Sequence, residues 1–220
     1  MKNLLRLLLV FTLPLIAFGV RADVAPHEVL HGATDEMFAT LHTHRAALHT
    51  DPQALYGLVE KTLSPHVDFP LISQLVLGKH WRTADAGQRE RFIAEFRTLL
   101  VRFYVGALLE DPRKLDELLD FSDTLIQFRP AEPEQDARKA LVRAEVHMPS
   151  GRVALVSFNL HRKEGVWKVY DVTVEGVSLV TNYRSSFASE IRQGGGLDAL
   201  IDRLTARNRT LLSQGSARAE

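Results

Sequence analysis

The chain has 220 residues with 27 basic and 27 acidic side chains, and it contains no cysteine. The lack of cysteine excludes thiol catalysis, disulfide exchange and thiolate metal sites, and the balanced charge excludes the basic surface of a nucleic-acid-binding protein. A chain of this length can form one domain that its hydrophobic core alone stabilises.

Residues 1–22 have the organisation of a secretory signal peptide. Lys2 and Arg6 precede an apolar stretch over residues 7–20, and the segment ends in the small residue Ala22. The apolar stretch is shorter than the roughly 20 residues that a helix needs to span a bilayer. We therefore predict export and cleavage after Ala22. The mature chain is then slightly acidic, because the removed segment carries only basic charges.

The first part of the mature chain is predicted to be helical. Residues 26–49 form a polar-to-amphipathic stretch, and Asp51 and Pro52 have the residue types of an N-cap and a first helical position. A short helix is predicted after Pro70. It ends at Gly78, because glycine is common just beyond a helix C-terminus.

The strongest helical pattern follows a motif at Asp85 and Gln88, which resembles a capping box. Beyond this motif, apolar residues repeat on i, i+3, i+4 and i+7 spacings. These residues are Phe92, Phe96, Leu99, Leu100, Phe103 and Ala107. Tyr104 and Leu108 widen the apolar stripe beyond one face, so this helix is predicted to be buried from two sides. A further short helix is predicted from Pro112.

After this helix the apolar spacing changes to a period of two. Strands are predicted over residues 124–128, 140–148, 153–160 and 166–175. Short turns join the last three strands, which makes neighbouring strands antiparallel. From residue 176 the apolar and aromatic residues return to helix-like spacings, and the chain is predicted to finish with an amphipathic helix.

Helices followed by an antiparallel sheet indicate an α+β fold, with several helices packed on one face of a curved sheet in a cone-like, NTF2-like arrangement. A sheet that curls around a long helix with two apolar faces encloses an internal apolar cavity. We predict one domain over residues 23–212, with its last helix over about 197–212, and a loose tail over 213–220.

Five of the nine histidines lie between His27 and His49. His27 and His31 are spaced i, i+4 and can chelate a metal on a helix face, but no third ligand has a clear spacing. We therefore predict a solvated helix surface, no metal and no cofactor. The sequence also lacks the G-x-S-x-G, H-E-x-x-H and P-loop motifs.

Asp171 is the one acidic residue whose position suggests chemistry. It is predicted to share a strand face with Trp167, Val169 and Thr173. A carboxylate inside an α+β cone can act as a general base. The interpretation we favour is structural, with Asp171 accepting hydrogen bonds at the strand end, because no second acid or base has an interpretable relation to it.

Several segments, taken in order, resemble those of one protein family. The most specific is WKVYDVTVEGVSLVTNYRSSF at 167–187, preceded by VLGKHW at 76–81. Supporting positions are Asp68, Phe69, Gln88, Phe92, Phe96, Tyr104 and residues 196–201. Over about residues 27–212 the chain resembles the MlaC family, the soluble periplasmic phospholipid carriers of Gram-negative bacteria, also called toluene-tolerance auxiliary proteins.

The resemblance implies a lipid cavity between sheet and helices. It also implies a periplasmic shuttle between an outer-membrane lipoprotein–porin complex and an inner-membrane ABC transporter with a lipid-binding ring. Transport in the retrograde direction would maintain the lipid asymmetry of the outer membrane. The alternatives are a hopanoid-related carrier of the same family, a small hydrolase or isomerase using Asp171, and a periplasmic chaperone. The histidines at 27–49 are not part of the resemblance.

Under this interpretation, apolar residues of the long helix, the sheet and the segment after it contact the acyl chains. The predicted lipid-binding residues are Phe92, Phe96, Leu100, Phe103, Tyr104, Val156, Phe158, Val169, Val177, Leu179 and Val180. Arg184 is a predicted head-group contact, since a guanidinium binds phosphate bidentately. The alternative is that these apolar residues pack against one another as core.

Overall fold

The computed structural model describes residues 24–51, 53–109, 112–131, 136–148 and 150–217. The predicted signal peptide and its cleavage site therefore lie outside the described residues. Within these ranges, no helix is both long enough and apolar enough to cross a membrane.

Helices precede and follow a central sheet. The helices are α1 (Pro26–Thr50), α2 (Ala54–Leu63), α3 (Phe69–Leu77), α4 (Lys79–Thr83), α5 (Ala86–Leu109), α6 (Pro112–Asp120), α7 (Ser122–Leu125), α8 (Leu179–Gln193) and α9 (Gly196–Ala217). The strands are β1 (Ile126–Phe128), β2 (Lys139–His147), β3 (Val153–Lys163), β4 (Val166–Val174) and β5 (Val177–Ser178). This order confirms the predicted α+β class. The last helix extends beyond the predicted end at residue 212.

The long helix α5 begins as the sequence predicts. The Asp85 N–H donates to Gln88 Oε1 at 3.1 Å, and the Gln88 N–H donates to Asp85 Oδ1 at 2.8 Å. These two bonds satisfy backbone donors that a helix start would otherwise leave unpaired. The start of α2 differs from the prediction. Asp51 Oδ1 accepts the Gln53 N–H, but the helix begins only at Ala54.

The five strands form one antiparallel sheet in the order β1-β2-β3-β4-β5. In the long β2–β3 pair, Val142 lies opposite Phe158 and Ala144 opposite Val156. The predicted first strand is shorter than expected, because residues 122–125 form the helix α7. The two-residue strand β5 precedes α8, so the chain after β4 turns back on the sheet edge before it becomes helical.

A bulge in β4 changes which residues share a sheet face. Leu160 pairs with Val169, but the preceding Asn159 pairs with Asp171, so Tyr170 is the extra residue. An extra residue reverses the alternation of side chains. The prediction that Asp171 shares a face with Trp167 and Val169 is therefore wrong, because period-two alternation does not hold across the bulge.

Helix α5 packs against two hydrophobic clusters, which confirms its predicted burial from two sides. Phe92, Phe96 and Leu99 pack with α3, α8 and α9, and Val105 packs with α1, α2 and α6. A third cluster joins α1 to β2, β3 and β4. On the opposite sheet face Leu155 is 61% exposed. The helices therefore cover one face of the sheet and leave the other to solvent.

We expect Ser73→Ala to raise the free energy of unfolding by roughly 1 kcal/mol. Ser73 lies on α3, is fully buried, and its hydroxyl has no hydrogen-bond partner among the described residues. Removing an unsatisfied buried hydroxyl removes its desolvation penalty. Urea denaturation measures the change. Ser185→Ala, on the exposed surface of α8, is the matched control and should change stability by less than about 0.5 kcal/mol. A destabilised Ser73→Ala would contradict the prediction.

Candidate functional site

An apolar cavity of about 310 Å³ lies between β4 and the helices. This volume is at the lower end of the range for small-molecule sites, roughly 300 to 1,000 Å³. Its lining residues are Val59, Leu63, Ser64, Val67, Phe69, Ile72, Phe96, Leu100, Val101, Tyr104, Val105, Val169, Asp171, Val172, Leu179, Val180 and Tyr183. The polar side chains among them are Ser64, Tyr104, Asp171 and Tyr183, so the cavity suits a ligand that is mainly hydrocarbon.

Helical spacing explains how α5 supplies much of this lining. Phe96, Leu100 and Tyr104 are spaced i, i+4 and i+8, and therefore lie on one side of the helix. Leu179, Val180 and Tyr183 on α8 also line the cavity, and the Tyr183 ring contacts Phe96 with 5.1 Å between ring centroids. The strand β4 contributes Val169 and Val172, which share one sheet face, and Asp171 borders the cavity where it contacts the start of α8.

We infer that the cavity opens between α2 and α5, because its exposed lining residues lie on these two helices. Of its lining residues, Leu63 on α2 is 37% exposed and Tyr104 on α5 is 44% exposed. The remaining members are buried or half-buried. Phe103, which is also exposed, stacks edge-on against Tyr104 with 5.3 Å between ring centroids. A ligand therefore reaches the cavity past an aromatic and aliphatic rim.

Asp171 accepts one hydrogen bond on each carboxylate oxygen at the start of α8. Its Oδ2 accepts the Ser178 hydroxyl at 2.7 Å, and its Oδ1 accepts the Val180 N–H at 3.1 Å. Ser178 Oγ in turn accepts the Thr181 N–H at 3.1 Å as the helix N-cap. A carboxylate near a helix N-terminus is favourable, because it binds unpaired N–H groups at the positive end of the dipole. These contacts agree with the structural interpretation of Asp171.

Asp171→Ala is expected to lower the free energy of unfolding by about 1–2 kcal/mol. The Ser178 hydroxyl and the Val180 N–H both lose their acceptor in this variant. Guanidinium denaturation is the measurement. Asp171→Asn keeps one acceptor oxygen and should lose less stability. Equal stability of Asp171→Ala and the unmodified protein would show that α8 is not capped in this way.

Tyr104 and Tyr183 bring two hydroxyls together at the edge of the cavity. Desolvation, followed by the interaction with Tyr183, raises the pKa of Tyr104 to about 12. Burial also raises the pKa of Tyr183, against opposing effects of Arg207 and of the hydrogen bond with Tyr104. Both phenols are therefore protonated, and able to donate hydrogen bonds, at neutral pH.

Asp68, at the start of α3, joins this helix to the sheet beside the cavity. It is 3% exposed and lies between two lining residues, Val67 and Phe69. Its Oδ1 accepts the Leu71 N–H at 3.0 Å as the N-cap of α3. Its Oδ2 accepts hydrogen bonds from His161 Nε2 at 3.0 Å and Lys163 Nζ at 3.1 Å, both on β3. This buried carboxylate thus connects the start of α3, beside the cavity lining, to two side chains of the sheet.

The structure brings about half of the predicted lipid-binding residues into the cavity lining. Those in the lining are Phe96, Leu100, Tyr104, Val169, Leu179 and Val180. Phe92 is buried in the cluster between α5, α8 and α9, and Phe158 packs in the cluster beneath α1. Val156 is buried in the sheet, and Phe103 and Val177 are exposed. Lipid contact remains a prediction for all of them.

Arg184, the predicted head-group contact, is not among the lining residues. Its guanidinium packs over Gly78, where an added Cβ would lie 3.1 Å from Arg184 Nε. Gly78 also has φ of +54°, a conformation that disfavours other residues. The glycine therefore makes room for the arginine at the end of α3.

Sequence reasoning missed the contribution of α2 and α3 to the lining. The cavity is also lined by residues of these two helices: Val59, Leu63, Phe69 and Ile72. The apolar spacing of Val59 and Leu63, four residues apart, was the available signal, but it is equally typical of a helix that packs on a core.

The described residues hold no group of three His, Asp or Glu side chains that could bind a metal ion. His31 Nδ1 instead lies 2.7 Å from Asp35 Oδ2 on the exposed side of α1, and His44 Nδ1 lies 2.8 Å from the Thr40 carbonyl. These contacts are typical of a solvated helix surface.

Helices that cover one face of an antiparallel sheet, with an apolar cavity between the layers, define an α+β binding protein for an apolar ligand. The profile of the MlaC protein family matches residues 31–206. The chain is also 32% identical over 203 residues to the toluene tolerance protein ttg2D of Pseudomonas putida, covering 91% of this chain and 87% of that protein. The chain belongs to the MlaC family.

Two further relatives cover nearly the same extent. The intermembrane phospholipid transport system binding protein MlaC of Haemophilus influenzae is 25% identical over 202 residues, 89% of each chain. A phospholipid-binding protein from Ralstonia solanacearum, solved in complex with a phospholipid, has a TM-score of 0.71 at 24% identity. That alignment covers 86% of this chain and 99% of the other, and it confirms the fold.

Proposed function

We propose that this protein is a phospholipid-binding carrier that moves lipid between the outer and inner membranes. It acts as a binding protein of the MlaC family and not as an enzyme. The observation that supports the proposal most directly is the apolar cavity between β4, α2, α5 and α8. Each methylene removed from water contributes about 0.8 kcal/mol, so a lining of this kind can hold acyl chains outside a bilayer.

The volume of the cavity is smaller than the volume of two acyl chains. A volume of about 310 Å³ corresponds to roughly ten groups the size of a water molecule, at about 30 Å³ each. Two acyl chains contain more methylenes than that. We propose that lipid binding widens the opening between α2 and α5, where Leu63 and Tyr104 form the rim, and that part of each chain lies along this opening.

A carrier of this kind works in the periplasm. We propose that the signal peptide is removed after Ala22 and that residues 23–212 form the carrier domain. The proposed partners are an inner-membrane ABC transporter complex with a lipid-binding periplasmic ring and an outer-membrane lipoprotein–porin complex. Retrograde transport between them would maintain outer-membrane lipid asymmetry. A hopanoid-related lipid is the alternative cargo, since an apolar lining does not distinguish one hydrocarbon from the other.

Native mass spectrometry of the mature protein purified from cells tests the carrier function. We expect a mass excess equal to one or more phospholipids, which lipid extraction then identifies. A mass equal to that of the bare chain beginning at Asp23, with no lipid in the extract, would overturn the proposal. A mass excess that corresponds to a hopanoid would support the alternative cargo.

A further inference from the structure

The cavity offers few polar groups to a ligand that contains polar atoms. In a phospholipid, two ester carbonyls lie between the phosphate and the acyl chains, so they enter the cavity before the phosphate does. A carbonyl oxygen is a hydrogen-bond acceptor, and its burial without a donor is unfavourable. An ester-linked lipid therefore binds better where the lining supplies a donor near the opening. This inference rests on the proposed function.

The polar lining groups differ in whether they can serve as that donor. The Asp171 carboxylate only accepts hydrogen bonds when ionised, and the Ser178 hydroxyl and Val180 N–H already occupy its oxygens. Ser64 contributes a single hydroxyl from the turn that follows α2, and it serves below as the comparison donor. The remaining donors of the lining side chains are the hydroxyls of Tyr104 and Tyr183.

Aromatic packing fixes the positions of these two phenols. The Tyr183 ring lies 5.1 Å from Phe96 and 5.5 Å from Phe187, in a cluster of buried aromatic rings. The Tyr104 ring packs edge-on against Phe103 at the opening. Each phenol keeps its hydroxyl proton at neutral pH, so both side chains of the lining can donate a hydrogen bond to an acceptor at the opening. A rigid donor at the rim loses little conformational entropy on binding.

We infer that the paired hydroxyls of Tyr104 and Tyr183 bind an ester carbonyl of the lipid at the opening between α2 and α5. This contact makes the carrier selective for ester-linked over ether-linked chains. It also sets the depth to which the lipid enters: the carbonyl lies beside Tyr104, and the phosphate remains outside the rim. The acyl chains then extend inward past Leu100 and Phe96.

The test is a competition between two lipids that differ only in these carbonyls. Mature protein is incubated with vesicles that contain equal amounts of a diester phosphatidylglycerol and the diether analogue with the same chain length. Native mass spectrometry resolves the two bound lipids by mass. Their ratio in one spectrum does not depend on the fraction of protein that is folded, so variants can be compared directly.

Tyr104→Phe and Tyr183→Phe each remove one hydroxyl and retain the ring. We expect the diester-to-diether ratio to fall roughly three- to tenfold in each variant, the effect of losing one ordinary hydrogen bond. Tyr56→Phe is the matched control outside the cavity and Ser64→Ala the control within it, and both should keep the ratio of the unmodified protein. Tyr56 lies on α2, packs against the hydrophobic cluster that α2 forms with α1, α5 and α6, and is not a lining residue.

Two results would overturn the inference and leave the carrier function intact. The first is bound lipid in both tyrosine variants with an unchanged ratio, and the second is a fall in the ratio with Ser64→Ala instead. Absence of either lipid from the unmodified protein would overturn the inference together with the proposed function.

Discussion

Replacing Leu100 with glutamate is expected to abolish copurification of lipid with the protein. Leu100 lies on α5 in the middle of the cavity lining, between Phe96 and Tyr104. A carboxylate at this position would have to be buried against acyl chains, which is unfavourable by several kcal/mol. Each 1.4 kcal/mol reduces affinity tenfold, so a penalty of about 4 kcal/mol lowers lipid affinity roughly a thousandfold.

Leu155→Glu is the matched control for this experiment. It introduces the same chemical change on the uncovered sheet face, where Leu155 is largely exposed. Native mass spectrometry of both proteins should show bound lipid with Leu155→Glu and none with Leu100→Glu. Circular dichroism establishes that both are folded. Leu100→Trp, which reduces the cavity volume without adding a charge, should also lower the amount of bound lipid. Full lipid occupancy in folded Leu100→Glu would contradict the proposed location of the acyl chains.

Asp68→Ala is expected to be strongly destabilising, lowering the free energy of unfolding by about 3–5 kcal/mol. The variant leaves three donors without their acceptor: the Leu71 N–H, His161 and Lys163. Removing one partner from a buried charge cluster is more harmful than losing a surface ion pair. Asp202→Ala, on the exposed side of α9, is the control and should be nearly neutral. Urea denaturation separates the two, and similar stability in both variants would refute the role of Asp68.

The Asp68 contacts also predict how stability depends on pH. Burial alone would raise the pKa of Asp68, but hydrogen bonds from Leu71, Lys163 and His161 and the Lys163 charge together hold this pKa below its ordinary value. The stabilisation is therefore complete above the unfolded-state pKa of about 3.9 and is lost as the pH falls through the lower folded-state value. The stability difference between the unmodified protein and Asp68→Asn should remain constant near neutral pH and shrink below about pH 4. A difference that does not change in acid would contradict this linkage.

Local sequence signals predicted those parts of the fold that depend on local interactions. The capping box at Asp85 and Gln88 places both partners three residues apart, so its hydrogen bonds form wherever the helix forms. Alternating side chains in β2 and β3 and their short connection predicted antiparallel neighbours, because a turn of a few residues permits no other pairing. The bulge at Tyr170 was not predictable, since it depends on how β3 and β4 align.

The candidate site, like the fold, was only partly predictable from the sequence. Helical spacing predicted that Phe96, Leu100 and Tyr104 lie on one side of α5, and this follows from the chain alone. Whether an apolar residue lines a cavity or fills a core depends on what lies opposite it. Phe92, one turn before Phe96, faces Phe187 and is fully buried, whereas Phe96 borders both the core and the cavity.

The sequence by itself determined the α+β class, the main elements and the apolar faces, because hydrophobic periodicity and capping act over a few residues. The ordered segments at 76–81 and 167–187 also indicated the family, which the comparisons confirm. Only the tertiary structure decided that α2 and α3 complete the cavity, that Asp171 caps α8 and that Asp68 joins the helices to β3. These features depend on contacts between residues distant in sequence, and such contacts exist only when the helices and the sheet have packed together.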